Sequence, residues 1–423
     1  PNKPTEIVKK EGHKYFGQSA TDGEGGTDAD RLFRHIVNSG HCYDDKTEVL
    51  TDKGFVLFKD LKPYHKVAMV DENGVFAGFT EDYLYVEYDN NEHEGYIYNF
   101  ESQSVSFGVT SKHRMFISPG RYLKKWEIKM MEDIDYKEYR VAKVPKKREN
   151  PPKKTSFSKE QLQFIGFFIG DGSASSSKRI VFHLKKERKK LYLENLLQRL
   201  DGVIKWEKKE SYEGRHKYIV FVDFINPYDF YINGEKTLNG LHLLEGEEFE
   251  ALFDGLLNSD GSYTKSNNSV HYCTNSKTLE EELCTLLTIN GIAHKKDGFG
   301  RISIQKDRNL YPFVRDSRHP DQKPKKVRYT GKTYCVQVPT GILVVRRNDK
   351  TLVCGNTSTL EHITFTFAIE GISRACLAQL TRHRVGFSFS VQSQRYVKLG
   401  SNDKSGGFDY VVPEKIDNTE VPG

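Results

Sequence analysis

Hydrophobic and polar residues alternate along the chain from Cys42 to about residue 101, with turn signals roughly every 8–12 residues. The stretches that carry this pattern are TEVLTDKGFVLF, KVAMVDENGVFAGF, YLYVEYDN and GYIYNFES. The second of them contains an Asn-Gly turn, which is a common hairpin signal. The pattern therefore predicts an all-β unit that begins at Cys42.

The periodicity changes twice after this β section. A basic stretch with prolines, PKKRENPPKK at residues 145–154, precedes mixed helical and strand periodicity from about 158 to 322. A second basic stretch, KPKKVR at 323–328, precedes a return to strand periodicity in TYCVQVPTGILVVRR. Residues 1–41 are polar and turn-rich, and residues 357–388 have helical periodicity. We therefore expect one β unit that is interrupted by an α+β unit and then resumed.

The α+β section contains one internal repeat, FIGFFIGDG at 164–172 and FDGLLNSDG at 253–261. One interpretation is two ordinary helix ends, since glycine often follows a helix. However, small residues stand four apart in each copy, at 166 and 170 and at 255 and 259. Such spacing lets two helices pack closely, which would bring Asp171 and Asp260 together at their ends. Adjacent carboxylates repel each other, so the repeat predicts a divalent cation at this point.

Composition excludes several classes of protein. Aromatic residues make up 12% of the chain and hydrophobic residues 37%, which argues against disorder. No apolar run is long enough to span a membrane, and no apolar leader opens the chain, so we expect a cytoplasmic protein with no membrane partner. The six cysteines form no CxxC pair, which argues against a zinc knuckle or a disulfide framework. The net charge of +6 is small, so a nucleic-acid surface must come from local clustering.

The two nonapeptides resemble the LAGLIDADG motifs of homing endonucleases. The resemblance implies an α+β fold with two αββαββα halves that are related by a pseudo-two-fold axis. It also implies a monomer that cleaves double-stranded DNA with Mg²⁺. Asp171 and Asp260 are then the catalytic metal ligands. Lys306, in RISIQKDRNLYPFV, is a candidate for the basic catalytic residue, although a solvated lysine at a strand end is the alternative. The first half has no lysine at the corresponding place. DNA contacts are expected from basic strands such as RIVFHLKK and SYEGRHKYIV.

The interrupted β unit resembles an intein, a self-splicing domain with the all-β, horseshoe-like Hint fold. The resemblance places the first nucleophile at Cys42, which attacks the carbonyl of His41. A Thr-x-x-His motif would orient and protonate the scissile amide. The final asparagine of LVCGN cyclises, and the following threonine accepts the acyl group. The residues that the resemblance assigns to splicing, without a cofactor, are Cys42, Thr110, His113, Asn356 and Thr357.

Two positions differ from the common intein pattern. Gly355 precedes the terminal asparagine where many inteins have histidine, and Cys335 follows the aromatic residue of TYCVQV where aspartate is frequent. Cys335 is either a local polar or thiol contributor or a buried structural cysteine.

Joined together, the flanks 1–41 and 357–423 resemble flavin-dependent thymidylate synthase. The family's RHR motif corresponds to Arg382, His383 and Arg384, which the resemblance places at the FAD cofactor. Its Ser-x-Arg motif corresponds to Ser393 and Arg395, at the substrate dUMP. The family's enzymes imply a homo-oligomer, and the flanks cover only part of such an enzyme, so thymidylate synthesis by this chain is not expected.

The sequence thus predicts a multidomain chain with α+β host fragments on either side of an intein. The predicted divisions are 1–41 (host), 42–150 (splicing domain), 151–324 (endonuclease), 325–356 (splicing domain) and 357–423 (host). Two alternatives stay open: a thymidylate synthase that carries the insert passively, and a decayed endonuclease that only binds DNA.

Overall fold

The computed structural model describes residues 4–6, 18–20, 42–89, 95–210, 214–264, 269–305, 310–315, 323–355, 374–380 and 382. The chain divides into two compact units, Pro1–Glu361 and His362–Gly423. Within the described residues, no helix has both the length and the hydropathy needed to cross a membrane.

The first unit opens with a short antiparallel pair, β1 (Pro4–Glu6) and β2 (Gln18–Ala20). From Cys42 onwards the alternating pattern forms strands, as the sequence indicates. They are β3 (Thr47–Thr51), β4 (Gly54–Leu57), β5 (Val67–Val70), β6 (Phe76–Thr80), β7 (Leu84–Asp89), β8 (Gly95–Glu101), β9 (Ser106–Thr110), β10 (Arg114–Pro119), β11 (Glu127–Met130) and β12 (Glu138–Val141). Short 3-10 helices follow β4 and β11.

The α+β section consists of two halves with the same order of elements. The first half contains α1 (Lys159–Asp171), β13 (Gly172–Ser176), β14 (Arg179–Leu184), α2 (Glu187–Leu197), β15 (Val203–Glu210) and β16 (His216–Val222). A 3-10 helix, Pro227–Phe230, and a hairpin of β17 (Tyr231–Ile232) and β18 (Glu235–Lys236) connect the halves. The second half contains α3 (Gly246–Asp260), β19 (Gly261–Thr264), β20 (Ser269–Cys273), α4 (Lys277–Ile289), β21 (Ala293–Lys296) and β22 (Arg301–Gln305).

The sheets of the two halves also have the same strand order. The first is β13-β14-β16-β15 and the second is β19-β20-β22-β21, so the two halves repeat the same αββαββ arrangement. The final helix of the predicted αββαββα pattern is not present in the described residues. In the first half Pro227 begins a 3-10 helix of only four residues, because Tyr231 already starts the connecting hairpin.

Helices α1 and α3 pack backbone against backbone, and small residues make this possible. A Cβ atom on Gly166 would lie 2.2 Å from the carbonyl oxygen of Leu252. A Cβ atom on Gly255 would lie 2.0 Å from the carbonyl oxygen of Gln163. Since real Cβ atoms do not approach that closely, any larger residue would separate the helices.

The last strands return to the β unit. They are β23 (Phe313–Arg315), β24 (Lys325–Tyr329), β25 (Lys332–Gln337), β26 (Ile342–Arg347) and β27 (Lys350–Gly355). β24 pairs with β8, β25 with β7, and β26 with both β3 and β5. Strands from before and after the α+β section therefore share sheets, and the β unit is built from both ends of residues 42–355.

The boundary of the α+β section differs from the predicted residue 324. β23 pairs with β12, and the carbonyl groups of Leu310 and Pro312 accept hydrogen bonds from the backbone of Lys143 and Val141. Residues 310–315 thus belong to a sheet of the β unit, where they pair with the backbone groups on the outer edge of β12. Long-range pairing of this kind leaves no local signal in the sequence.

The β unit and the α+β unit are in direct contact. The Arg346 guanidinium of β26 pairs with Glu48 of β3 and with Glu281 of α4, each at 2.6 Å. The ring of His242 lies 3.0 Å from the carbonyl oxygen of Asp52. These polar contacts hold the two parts in one compact unit. In the second unit the described residues include one helix, α5 (Arg374–Leu380).

Candidate functional sites

The two repeated motifs end in carboxylates that share one site. Asp171 is the last residue of α1 and Asp260 is the last residue of α3. The Nζ atom of Lys189, on α2, lies 2.7 Å and 2.6 Å from the two carboxylate oxygens of Asp171. The same Nζ atom lies 3.5 Å from Oδ1 of Asp260. One ammonium group therefore reaches both acids.

The electrostatics of this site favour a cation. Burial is the main cause that raises the pKa of Asp260 above its ordinary value, and the charge of Asp171 adds to it. Lys189 and Lys236 oppose this shift but do not cancel it. Both carboxylates also stand at helix C-termini, where the partial charge of the helix is negative. The acids thus create a negative potential that a further cation would relieve.

The donor set is suited to one kind of metal ion. Among the residues that the structure describes, no group of three or more His, Cys, Asp or Glu side chains is placed to hold a metal. Asp171 and Asp260 supply two carboxylates, and Mg²⁺ is often held by one or two carboxylates together with substrate phosphates. The pair therefore fits an ion that binds together with a phosphate-bearing substrate.

Lys236 supports the end of α1. Its Nζ atom donates to the carbonyl oxygens of Phe168, Ile169 and Gly172 at 2.9, 3.0 and 2.6 Å. Burial lowers the pKa of Lys236 to about 8, although the two acids oppose that shift. The lysine thus occupies the negative pole of the helix that carries Asp171. A cleft of about 500 Å³, lined in part by Lys236 and Asp260, opens beside it.

Sequence reasoning missed both lysines of this site. Lys189 belongs to the run KKERKK, which is typical of a solvated helix start. One signal was available, because Lys189 is in helical phase with Leu193 and Leu196, which are buried. Lys236 reaches the site through the hairpin between the halves, and nothing in the local sequence predicts that placement.

Each half presents one exposed sheet face with basic and polar side chains. Cross-strand pairing places Arg179, Phe221 and Lys205 in one row. A second row on the same face contains His183, Lys217 and Lys209. The other half presents His271, Ser303 and Lys295 in one row and Arg301 in the next. The predicted DNA-contacting strand RIVFHLKK contributes to this surface, and residues 211–213 of SYEGRHKYIV lie outside the described residues.

A second cluster forms where the two ends of residues 42–355 meet. Cys42 is fully buried, and its backbone N–H donates to Oγ1 of Thr110 at 2.8 Å. The backbone N–H of Thr110 donates in turn to the carbonyl oxygen of Cys42 at 3.0 Å. This pairing fixes the peptide nitrogen of Cys42 against the threonine hydroxyl.

The other end of the segment reaches the same cluster. The hydroxyl of Tyr43 donates to the carbonyl oxygen of Gly355 at 3.1 Å. Nε2 of His113 lies 3.2 Å from Sγ of Cys354, and the His113 ring packs edge-on against Tyr43 at 4.4 Å between centroids. Burial raises the pKa of the Cys354 thiol to about 12. Sequence reasoning singled out His113 but not Tyr43 or Cys354.

The other residues that the sequence predicts to be functional lie outside these two clusters or outside the described residues. Cys335 is half-buried, because the alternation along β25 turns Tyr334 and Val336 into the core and Cys335 away from it. Arg382 is exposed, and its backbone N–H donates to the carbonyl oxygen of Gln379. The remaining predicted residues lie outside the described residues: Lys306, Asn356, Thr357, His383, Arg384, Ser393 and Arg395.

Residues 309–422 match the family model Thy1, described as "Thymidylate synthase complementing protein". The flavin-dependent thymidylate synthase of Geobacter sulfurreducens is 51% identical over 72 residues, which are 17% of this chain and 29% of that protein. The chain therefore spans less than a third of this curated relative. The ribonucleoside-diphosphate reductase subunit beta of Aquifex aeolicus is 25% identical over 383 residues, covering 76% of this chain and 51% of that protein.

Solved structures give a further comparison. A complex of the homing endonuclease I-DmoI with its target DNA and manganese covers 34% of this chain and 85% of its own, at 19% identity and a TM-score of 0.27. A splice-inactive variant of the AceL NrdHF class 3 split intein covers 75% of this chain and 99% of its own, at 10% identity and a TM-score of 0.24.

Proposed function

We propose that the chain is a self-splicing precursor, which excises residues 42–356 and joins His41 to Thr357. One observation supports this most directly: Tyr43, the second residue of the segment, donates a hydrogen bond to the carbonyl of Gly355, its penultimate residue. Splicing requires its two junctions to lie close together, since the acyl group is passed from one to the other. The Tyr43–Gly355 hydrogen bond joins residues 312 positions apart in the sequence and so supports this requirement.

The first half of the proposed reaction transfers an acyl group. Sγ of Cys42 attacks the carbonyl carbon of His41, and the bond from that carbon to the Cys42 nitrogen breaks as the nitrogen takes up a proton. The hydroxyl of Thr357 then attacks the thioester, forming an ester and returning the Cys42 thiol.

The second half releases the segment. The side-chain amide nitrogen of Asn356 attacks the main-chain carbonyl of the same residue, and the peptide bond to Thr357 breaks. The excised segment then ends in a succinimide. The freed amine of Thr357 attacks its own ester, which restores the hydroxyl and leaves a peptide bond to His41. No step changes an oxidation state, and the proposal assigns no cofactor to splicing.

Two side chains support the first step, the half-buried Thr110 and the fully buried His113. Thr110 holds the nitrogen that leaves, through the 2.8 Å hydrogen bond from the Cys42 N–H. We assign protonation of that nitrogen to His113, because imidazole exchanges protons near neutral pH and the ring lies fully buried in the same cluster.

Intact mass of the expressed chain tests splicing. We expect the excised 42–356 segment and a ligated product of 1–41 with 357–423. Cys42→Ala should prevent ligation, whereas the control Cys273→Ala changes an exposed thiol on β20 and should leave it intact. Asn356→Ala should still allow a thiol reagent to release residues 1–41. Ligation at the normal rate by Cys42→Ala would show that the first nucleophile is wrong.

We infer a second activity, Mg²⁺-dependent cleavage of double-stranded DNA by the section predicted at residues 151–324, and the shared site of Asp171 and Asp260 is the observation that favours it. The two acids would hold Mg²⁺, and the ion would supply Lewis-acid activation of a phosphodiester. The pseudo-two-fold pair of exposed sheet faces supports a DNA partner with phosphate contacts from both halves. The segment would act as a monomer, because one chain carries both halves.

The test substrate is a DNA duplex that carries the host coding sequence without the insert. We expect Asp171→Asn and Asp260→Asn to abolish cleavage and to retain most DNA binding, because affinity depends mainly on phosphate contacts. Asp201→Asn, an exposed aspartate in a turn, is the control. Cleavage in EDTA would contradict the metal assignment. Binding without cleavage by the wild type would favour the decayed DNA-binding alternative.

We further propose that residues 1–41 and 357–423 are parts of a cytoplasmic flavin-dependent thymidylate synthase. The Thy1 match supports this host, and the exposed Arg382 leaves a guanidinium open to a phosphate-bearing ligand. FAD and dUMP belong to the complete, homo-oligomeric host enzyme. Titration with FAD should show weaker binding by a Cys42→Ala precursor than by the ligated product. Equal, tight binding would instead favour the passive-insert alternative.

A further inference from the structure

The residue after the splicing nucleophile forms a bridge between both ends of the segment. The backbone of Tyr43 pairs with Tyr334 of β25, with N···O distances of 2.8 and 2.9 Å. Its ring stacks on Phe58 at 5.0 Å between centroids and packs against His113 on another side. The ring is 1% exposed, so its position is determined by the surrounding core.

The hydroxyl of this ring is aimed at the other junction. It donates to the carbonyl oxygen of Gly355, whose peptide bond leads to Asn356. Gly355 is itself closely confined, because a Cβ atom there would lie 2.6 Å from the carbonyl oxygen of Arg114. Burial, followed by the neighbouring Cys354 thiol, raises the pKa of Tyr43 well above its ordinary value. The hydroxyl therefore stays protonated and remains a donor throughout the working pH range.

We propose that Tyr43 is a positioning residue for cleavage after Asn356: its hydroxyl holds the Gly355 carbonyl, and so orients the following asparagine for cyclisation. This inference rests on the proposed splicing function. Many inteins have a histidine before the terminal asparagine, whereas residue 355 of this chain is glycine. Tyr43 thus takes part of the role that this histidine would have in the cleavage after Asn356. The reaction at the first junction does not involve the Gly355 carbonyl, so the two junctions should respond differently to loss of the hydroxyl.

The test separates the two junctions by using two backgrounds of the full chain. In Cys42→Ala, release of residues 357–423 reports cyclisation of Asn356 alone. In Asn356→Ala, release of residues 1–41 by dithiothreitol reports the thioester alone. Tyr43→Phe is added to each background. Tyr334→Phe is the matched control, because it removes a hydroxyl from the buried tyrosine whose backbone pairs with that of Tyr43.

We expect Tyr43→Phe to slow release of residues 357–423 about 5- to 10-fold, the range that loss of one hydrogen bond allows. Release of residues 1–41 by dithiothreitol should change less than about 2-fold, which also shows that the site remains folded. Tyr334→Phe should change neither rate by more than that. Equal slowing at both junctions, or no slowing at the second, would overturn the role of Tyr43. A wild-type chain that is spliced at neither junction would overturn the proposed function itself, and the Tyr43 role with it.

Discussion

At the scale of single residues, the cluster at the ends of α1 and α3 and the cluster at the ends of the β unit differ in the charge of their side chains. The acids at the ends of α1 and α3 are ionisable, and a lysine lies between them. In the cluster at the ends of the β unit, burial instead raises the pKa of both Tyr43 and Cys354, which keeps these two groups neutral. A charged centre suits a phosphodiester substrate, whereas neutral buried groups suit the rearrangement of uncharged peptide bonds.

The first prediction concerns the ammonium between the acids. Lys189→Gln removes the ammonium that reaches both Asp171 and Asp260 and leaves Lys236 to oppose their charge, so the metal-free protein should lose about 1–3 kcal/mol of unfolding free energy. Added Mg²⁺ should then raise the melting temperature more than it does in the wild type, because the ion replaces the lost positive charge. Lys185→Gln, an exposed lysine two residues before α2, is the control. An unchanged response to Mg²⁺ would contradict the role of Lys189 as a counter-charge.

The second prediction concerns pH. Burial and Asp171 raise the pKa of Asp260 above its ordinary value of 3.8, so the folded protein holds the proton more tightly than the unfolded chain. Stability from this group is therefore present below pH 3.8 and is lost as the pH rises through the higher, folded-state pKa. Asp260→Asn should stabilise the metal-free protein at pH 7 and have little effect near pH 4, as measured by urea unfolding. An equal gain in unfolding free energy at both pH values would contradict the raised pKa of Asp260.

At the scale of elements, the closest contact is the pairing of α1 with α3. Gly255 has no room for a side chain, because its Cβ position lies 2.0 Å from the Gln163 carbonyl oxygen and 2.9 Å from the Phe167 nitrogen. The distance between the helix axes thus depends on this glycine. The position of both terminal acids depends in turn on the helices.

The third prediction follows from that contact. Gly255→Ala should cost about 1–3 kcal/mol by overpacking, and more if the helices separate. DNA cleavage should fall more than DNA binding, since Asp171 and Asp260 move apart while the sheet faces remain. Glu247→Ala places a methyl on the exposed side of the same helix and serves as the control. Chemical denaturation and a cleavage assay on the same samples provide the measurements.

Local signals predicted much of this architecture. Period-two alternation indicated β3 to β8, and the spacing of Gly166, Gly170 and Gly255 indicated the helix pair. Sequence reasoning did not find β23 or Lys236, because each is placed by a partner far along the chain. β23 completes the edge of β12, and Lys236 reaches the carbonyl end of α1. Tyr43 was missed for the same reason, since its partner Gly355 is 312 residues away.

At the scale of the molecule, Arg346 connects the β unit to the α+β unit. Its side chain is 5% exposed and forms ion pairs with Glu48 inside the β unit and Glu281 on α4. Lys296 also pairs with Glu281 and with Asp349. This network makes the α+β unit part of the packing of the β unit rather than a loosely tethered insertion.

The fourth prediction tests that connection. Arg346→Met removes the ion-pair partner of the partly buried Glu48 and leaves Glu281 with Lys296 alone, which should cost about 3 kcal/mol and expose the 145–154 linker to protease. Arg199→Met, an exposed arginine on the far side of the first half, should have little effect. Unfolding in urea and limited proteolysis measure the two effects. An unchanged proteolysis pattern would indicate that the other contacts suffice to hold the β unit and the α+β unit together.

The sharing of sheets between early and late strands has a consequence for synthesis on the ribosome. The two α+β halves end at residue 305, so they can fold while the chain is still being made. β3, β7 and β8 must wait for β24 to β27, which end at residue 355. At about 5–20 residues per second, that interval lasts a few seconds. During it the chain already holds Cys42 and its partner Thr110 but lacks β25, which pairs with Tyr43, and β27, which carries Cys354. If the chain splices as proposed, the order of translation itself delays the peptide rearrangement until the second junction has been synthesised.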